Sequence, residues 1–218
     1  MKINAKAFSE IAHTVFAPIY PAIADQIVAA TGITQGTCLD VGCGVGSLGA
    51  ALARRTELFV YFLDQSEEML DLTEHTIDEN DLRGRTGTLA GEVGSIALPD
   101  GSVDLVVSRG SIFFWDDLPQ AFREIYRVLA PGGQTYIGGG FGSKELKDSI
   151  RRQMAERDQG GDQSGKQGGN QFGDKMRRNL GPEMRARCEQ ALADAGIADS
   201  TIIHSEDLGL WIVIRKPN

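Results

Sequence analysis

The stretch TCLDVGCGVGSLGAALA, residues 37–53, decides how this chain is read. Cys38 to Val41 form a short apolar run of strand character interrupted only by Asp40, and Gly42, Gly44 and Gly46 follow at alternate positions. Leu48, Leu52 and Ala53 then recur at helical spacing. A strand that passes through closely spaced glycines into a helix lets a ligand touch the backbone. It also aims the unpaired N–H groups of a helix N-terminus at that ligand. A plain turn with spare glycines is the competing reading, and the acid at the strand end weighs against it.

The next strand-like run, LFVYFL, ends in Asp64, 22 residues after Gly42. There the second strand of a βαβ unit delivers an acid to the two hydroxyls of a ribose, because one carboxylate can accept both hydrogen bonds. The same residue could instead cap a helix beginning at Ser66. TGTLAGE, VDLVVS and QTYIGG are further short apolar runs. Helical periodicity follows the first, second and fourth runs of the series, and this alternation predicts a parallel sheet covered by helices. The helix after Asp117 illustrates it: Leu118, Phe122, Ile125 and Leu129 share a face, and Pro131, Gly132 and Gly133 stop it. Upstream, residues 5–31 predict two short helices kinked at FAPIYP. Downstream, a helix from Pro182 to Ala195 ends at Gly196. DSTIIH and GLWIVIR then lie too close together for a parallel crossover and must pair as an antiparallel hairpin.

Composition fits one domain with a substantial core: 218 residues, 41% hydrophobic and 24% charged. A net charge of −8 argues against a surface that docks on nucleic acid or anionic lipid. Cys38, Cys43 and Cys188 form no CxxC pair and leave an odd thiol, which suits a reducing compartment and predicts the cytoplasm. No run of 18 apolar residues occurs, and Lys6, Glu10 and His13 interrupt the N-terminus too early for an export signal, so no membrane partner is expected. Charge is uneven: residues 144–187 carry 11 Lys and Arg against 7 Asp and Glu on an otherwise acidic body. With the amphipathic stripe Leu146, Ile150 and Met154 and the Gly-rich stretch 158–173, this segment is expected to be an inserted lid.

Several chemistries are absent as patterns. There is no HExxH, no metal-spaced Cys and His set and no GxSxG elbow, so no metal site is expected. Residues 160–166 approach a phosphate-binding GxxxxGK, but Gln167 replaces the Ser or Thr and no strand precedes them. Gly44 to Gly49 satisfies GxGxxG, which keeps a NAD-dependent oxidoreductase in view. Asp40 before the first glycine, the terminal hairpin and the lack of a YxxxK pair stand against it.

DVGCGVG, Asp64 in FLDQSEEML, GEVGSIALPDGSVDLVVSRGSIFFWDD and FREIYRVLAPGG together resemble the ordered motif series of class I S-adenosylmethionine (SAM)-dependent methyltransferases. The resemblance covers residues 37–140, and FAPIYP with GGGFGSKEL is similar to a small subgroup of that family. It implies an α/β Rossmann-like fold: a seven-stranded mixed sheet with an antiparallel last strand and helices on both faces. The single domain would comprise an N-terminal helical cap (1–33), a SAM-binding core (37–142), an inserted lid (143–175) and a last helix with its hairpin (181–218).

Carried over position by position, the resemblance places Gly42, Cys43, Gly44 and Gly46 along the methionine part of SAM. Asp40 would lie near the cofactor's amino group, Asp64 and Gln65 at the ribose, and Met69 beside the nucleoside. Glu92, where the family has Asp, and Val93 would read the adenine. Ser108 and Arg109 would flank the sulfonium and the substrate. The implied reaction is in-line displacement of the methyl group onto a small-molecule acceptor, leaving S-adenosylhomocysteine (SAH). The basic segment 144–187 suits an anionic acceptor, and Phe113, Phe114 and Trp115 after the fourth strand suit an aromatic one. Tyr20 and Arg109 are the catalytic candidates, and His13 and His204 could serve as bases by type alone. A SAM-binding regulatory or scaffold protein without transferase activity is the main alternative. The acceptor atom and the oligomeric state are not legible.

Overall fold

The structure is a computed structural model that describes residues 5–159, 182–205 and 209–218. The Gly-rich part of the expected lid beyond residue 159 lies outside the described residues, as does the near phosphate-binding pattern at 160–166. In chain order the elements are α1 (Ala5–Thr14), α2 (Ile19–Thr31), β1 (Gln35–Val41), α3 (Ser47–Ala53), β2 (Glu57–Asp64), α4 (Glu67–Glu79) and β3 (Thr86–Ala90). They continue as β4 (Val103–Arg109), α5 (Leu118–Val128), β5 (Leu129–Gly139), α6 (Lys144–Gln159), α7 (Pro182–Asp194), β6 (Ser200–Ser205) and β7 (Gly209–Ile214).

The strands form one seven-stranded sheet in the order β3-β2-β1-β4-β5-β7-β6. β1 to β5 run parallel, whereas β7 lies antiparallel between β5 and β6, as the short hairpin connection requires. Side chains alternate across the pleat, so each central strand feeds two cores. Cys38, Leu58, Val60, Phe62, Leu105 and Val107 meet α2 and α3 on one face. Leu39, Val41, Leu63, Val106 and Ile137 meet α5 and α7 on the other. Trp211 of β7 is fully buried and packs against Tyr136 of β5, with ring centroids 4.6 Å apart. Cys38 and Cys188 are buried free thiols.

The helix starts follow local chemistry. Ser66 and Asp117 cap α4 and α5, each accepting a backbone N–H three residues on, from Met69 and Gln120. The boundary that differs most from the sequence expectation is at Leu129. It does not extend the apolar face of α5 but opens β5 opposite Val103, with φ −60° and ψ 131°. Pro131 explains this, since a proline ahead clashes with continued helical backbone and has no N–H to give. Near the N-terminus, α1 and α2 are separated at 15–18. Pro18 precedes the first turn of α2 and Pro21 falls within it, where a missing N–H costs nothing.

Candidate functional site

A cavity of about 850 Å³ opens along the carboxyl ends of β1 to β4. This is where an open α/β sheet binds ligands, at the point where the strand order reverses. β1 leads out through Gly42, whose N–H and that of Cys43 both donate to the Leu63 carbonyl of β2, at 2.8 and 3.1 Å. Gly42, Gly44 and Gly46 have φ of 63°, 58° and 76°, the left-handed region that side chains avoid. A Cβ on Gly42 would stand 2.6 Å from Ser111 Oγ, and one on Gly44 would stand 3.1 Å from the Phe8 ring. The loop is therefore a backbone-lined floor with no room for side chains beneath it.

Asp64, at the end of β2, is partly buried beside this floor. Its Oδ2 accepts from Gly44 N at 3.0 Å and its Oδ1 from Ser66 N at 3.0 Å. Burial raises its carboxyl above the ordinary range, and these N–H donors act in the opposite direction. Each oxygen keeps lone-pair capacity for a further donor. Glu92 follows β3 and lies exposed on the cavity wall. Val93, Gln65 and Met69 also line the cavity.

Arg109 ends β4 and lines the same cavity. Its Nε donates to the Gly140 carbonyl at 3.3 Å. Its Cζ lies 4.8 Å from the ring centre of Phe16 and 5.8 Å from those of Tyr20 and Phe141. Burial lowers the guanidinium's pKa, and its Nη2 is buried without a hydrogen-bond partner.

Four of the residues singled out for the cofactor do not line the cavity. Asp40 is 2% exposed and accepts from Gly49 N at 2.9 Å, so its carboxylate pins the first turn of α3 from below. Burial raises its pKa to about 7, opposed by the Gly49 hydrogen bond. Ser108 is fully buried, its hydroxyl 2.6 Å from that of Ser111, which in turn donates to the Val41 carbonyl at 2.9 Å. Gly46 caps α3 against Thr73 and Phe62, and Cys43 turns its thiol toward Thr73. Tyr20 is also set back: it is 7% exposed, behind Arg109, and burial raises its pKa while the guanidinium lowers it. His13 and His204 lie outside the lining as well.

Sequence reasoning passed over Phe8, Ser111 and Gln120, all of which line the cavity. Phe8 comes from α1, where helical spacing marks it only as an apolar position. Ser111 stands three residues after Ser108, the serine that was chosen. Phe114 and Trp115 face the cavity, whereas Phe113 is buried with the helices of the second face.

The description "methyltransferase domain" belongs to the family model that matches residues 39–137. A crystal structure from Methanococcus maripaludis, assigned to the SAM-dependent methyltransferases, is 41% identical with a TM-score of 0.89. That match covers 100% of this chain and 98% of the other. This chain belongs to the class I SAM-dependent methyltransferases. YdaC of Bacillus subtilis, an uncharacterised methyltransferase, is 32% identical over 49% of this chain and 58% of its own length. The sterol 24-C-methyltransferase erg-4 of Neurospora crassa is 33% identical over 44% of this chain and 25% of its own. The chain thus spans between a quarter and three-fifths of the length of these curated relatives. Among the described residues no helix is long and apolar enough to cross a membrane.

Proposed function

We propose that this methyltransferase transfers a methyl group from SAM to a small-molecule acceptor, and that the cofactor lies along the sheet edge in strand order. The observation that carries this reading is the row Glu92, Asp64 and Gly42 at the ends of β3, β2 and β1, three neighbouring strands. Adjacent strands are about 4.8 Å apart, so the row spans roughly 10 Å, the scale of a nucleoside.

The residues present suit that group. The floor at Gly42 and Gly44, which a Cβ would fill, admits close backbone approach. Asp64, oriented by Gly44 N and Ser66 N, offers acceptor oxygens to two vicinal hydroxyls. Glu92 and the Val93 amide would meet the adenine, and Met69 would pack beside the nucleoside. SAM supplies an electrophilic methyl group on a positively charged sulfur. The chain's own part is to orient, to exclude water and to set charge. Phe8, Phe114 and Trp115 wall the cavity with apolar surface. Asp40, Cys43, Gly46 and Ser108 act on this reading as supports of the loop and not as contacts. Asp40 fixes the helix start and Ser108 fixes Ser111. Three free cysteines fit a reducing cytoplasm, the compartment we assign.

Isothermal titration with SAH, with NAD as the parallel control, tests the reading. Saturable binding of SAH alone is expected. Binding of NAD alone, or of neither, overturns it.

A further inference from the structure

We infer that the methyl acceptor carries an oxyanion, a carboxylate or a phosphate, and that Arg109 is its receptor. The inference rests on the cofactor reading above, because it takes the β1 to β3 side of the cleft as the cofactor's and the β4 to β5 side as the acceptor's. It starts from an imbalance of charge. A guanidinium withdrawn from water is costly unless it is paired, and proteins normally supply a carboxylate. Arg109 has none: among the described residues no ion pair includes it, and the groups around it are the Phe16 and Phe141 rings, the ring and hydroxyl of Tyr20, and the Gly140 carbonyl, none of them a carboxylate. Among the described residues the carboxylate that acts on Tyr20 is Asp40, and it is occupied by Gly49 N.

The geometry around the cation is that of a half-built site. Nε is anchored on the backbone of β5, three rings hold the guanidinium in place, and Nη2 has a hydrogen left unspent. The rings come from the N-terminal cap and from the segment after β5, neither of which lines the cofactor side of the cavity at these positions. Arg109 therefore stands where the cofactor row ends and the cap begins. An anion there would complete a charge-assisted hydrogen bond, the kind that contributes most when water is excluded. The acceptor's neutral body would meet the aromatic surface around it.

The test uses the protein saturated with SAH, and acetate, benzoate and inorganic phosphate as probes, with benzamide as the neutral match for benzoate. Ligand-observed NMR and thermal shift read binding. At least one anion should bind wild type, compete with the others and exceed benzamide. In Arg109→Met its affinity should fall about tenfold to a hundredfold while SAH affinity stays within about twofold. R109K keeps the charge without the planar fork and should retain an intermediate affinity. No anion binding to wild type, or binding unchanged in both variants, overturns the proposal. Loss of SAH affinity in both variants also overturns it, assigning the guanidinium to the cofactor's own carboxylate. Failure of SAH to bind wild type is a different result and strikes the cofactor reading instead.

Discussion

On the β3-β2-β1 side of the cleft the polar groups hold one another before any ligand arrives, with Asp64 fixed by Gly44 N and Ser66 N and the glycine loop by the Leu63 carbonyl. On the β4-β5 side Arg109 keeps Nη2 unspent among aromatic rings. The first half is finished by its own backbone, as suits a ligand that is the same in every turnover. The second is left incomplete in charge, as suits a surface that must be completed by the molecule it selects. Preorganised donors lower the reorganisation that binding requires, while an unpaired cation converts its desolvation cost into preference for one class of partner.

The comparison breaks most easily at Gly42. Gly42→Ala puts a side chain at φ 63° and 2.6 Å from Ser111 Oγ. Backbone strain of about 1–3 kcal/mol and overpacking of a similar size then add on the finished half. SAH affinity measured by titration is expected to fall by more than about a hundredfold, with a lower melting temperature. An unchanged affinity would show that the floor does not touch the cofactor.

Asp40→Asn sharpens the same half from beneath. The folded-state pKa of about 7 lies above the ordinary 3.8, so the folded chain holds more protons than the unfolded one between these values. Stability therefore falls as pH rises through that window and levels off above it. Three units correspond to at most about 4 kcal/mol, and the variant, which keeps an oxygen for Gly49 N, should lose that slope and be the more stable protein at pH 8. Denaturant melts across pH 4 to 8 check this. A slope that persists in the variant would place its origin elsewhere.

How far the sequence carries the fold and site follows from what each motif encodes. Alternating runs and their stops legislate strand order, and the short span between β6 and β7 permits only a hairpin. Helical periodicity continues through Leu129, whereas the proline two residues on acts through sterics that periodicity does not register. In the site, Gly42, Gly44, Asp64, Glu92 and Arg109 are placed by strand ends, which sequence marks well, and all five line the cavity. Whether a strand-end residue faces the cavity depends on the pleat, and Ser108 and Arg109, adjacent in sequence, point opposite ways. Phe8 reaches the cavity through the packing of α1 on α4, a tertiary fact with no local signature.

Asp64→Ala tests whether the finished half works through its acid. Removing a charged acceptor that meets ligand hydroxyls is worth about 1.5–3 kcal/mol, so SAH affinity should weaken about tenfold to a hundredfold. The fold should persist because Gly44 N and Ser66 N can turn to water. Asp64→Asn, which keeps one acceptor oxygen, should fall between. Equal affinities for all three proteins would remove Asp64 from the cofactor site.

The smallest effect is expected on the side of the cap, where Arg157 of α6 meets Glu10 of α1 at 2.6 Å. Both side chains are well exposed, at 41% and 61%, so water and salt screen the pair, and such pairs contribute about 0–1 kcal/mol. Arg157→Ala should shift the melting temperature little, and the shift should vanish at high salt. Its value lies in what it separates. Leu146, Ile150 and Met154 already pack α6 on the core, so the helix does not depend on the ion pair. α1, by contrast, carries Phe8 into the cavity. If Arg157→Ala leaves stability alone yet weakens SAH binding, the pair holds α1 over the glycine floor, and the finished half of the cleft extends to the cap. If both are unchanged, the floor and the strand ends suffice, and the boundary between the two halves stays at β1 and β4.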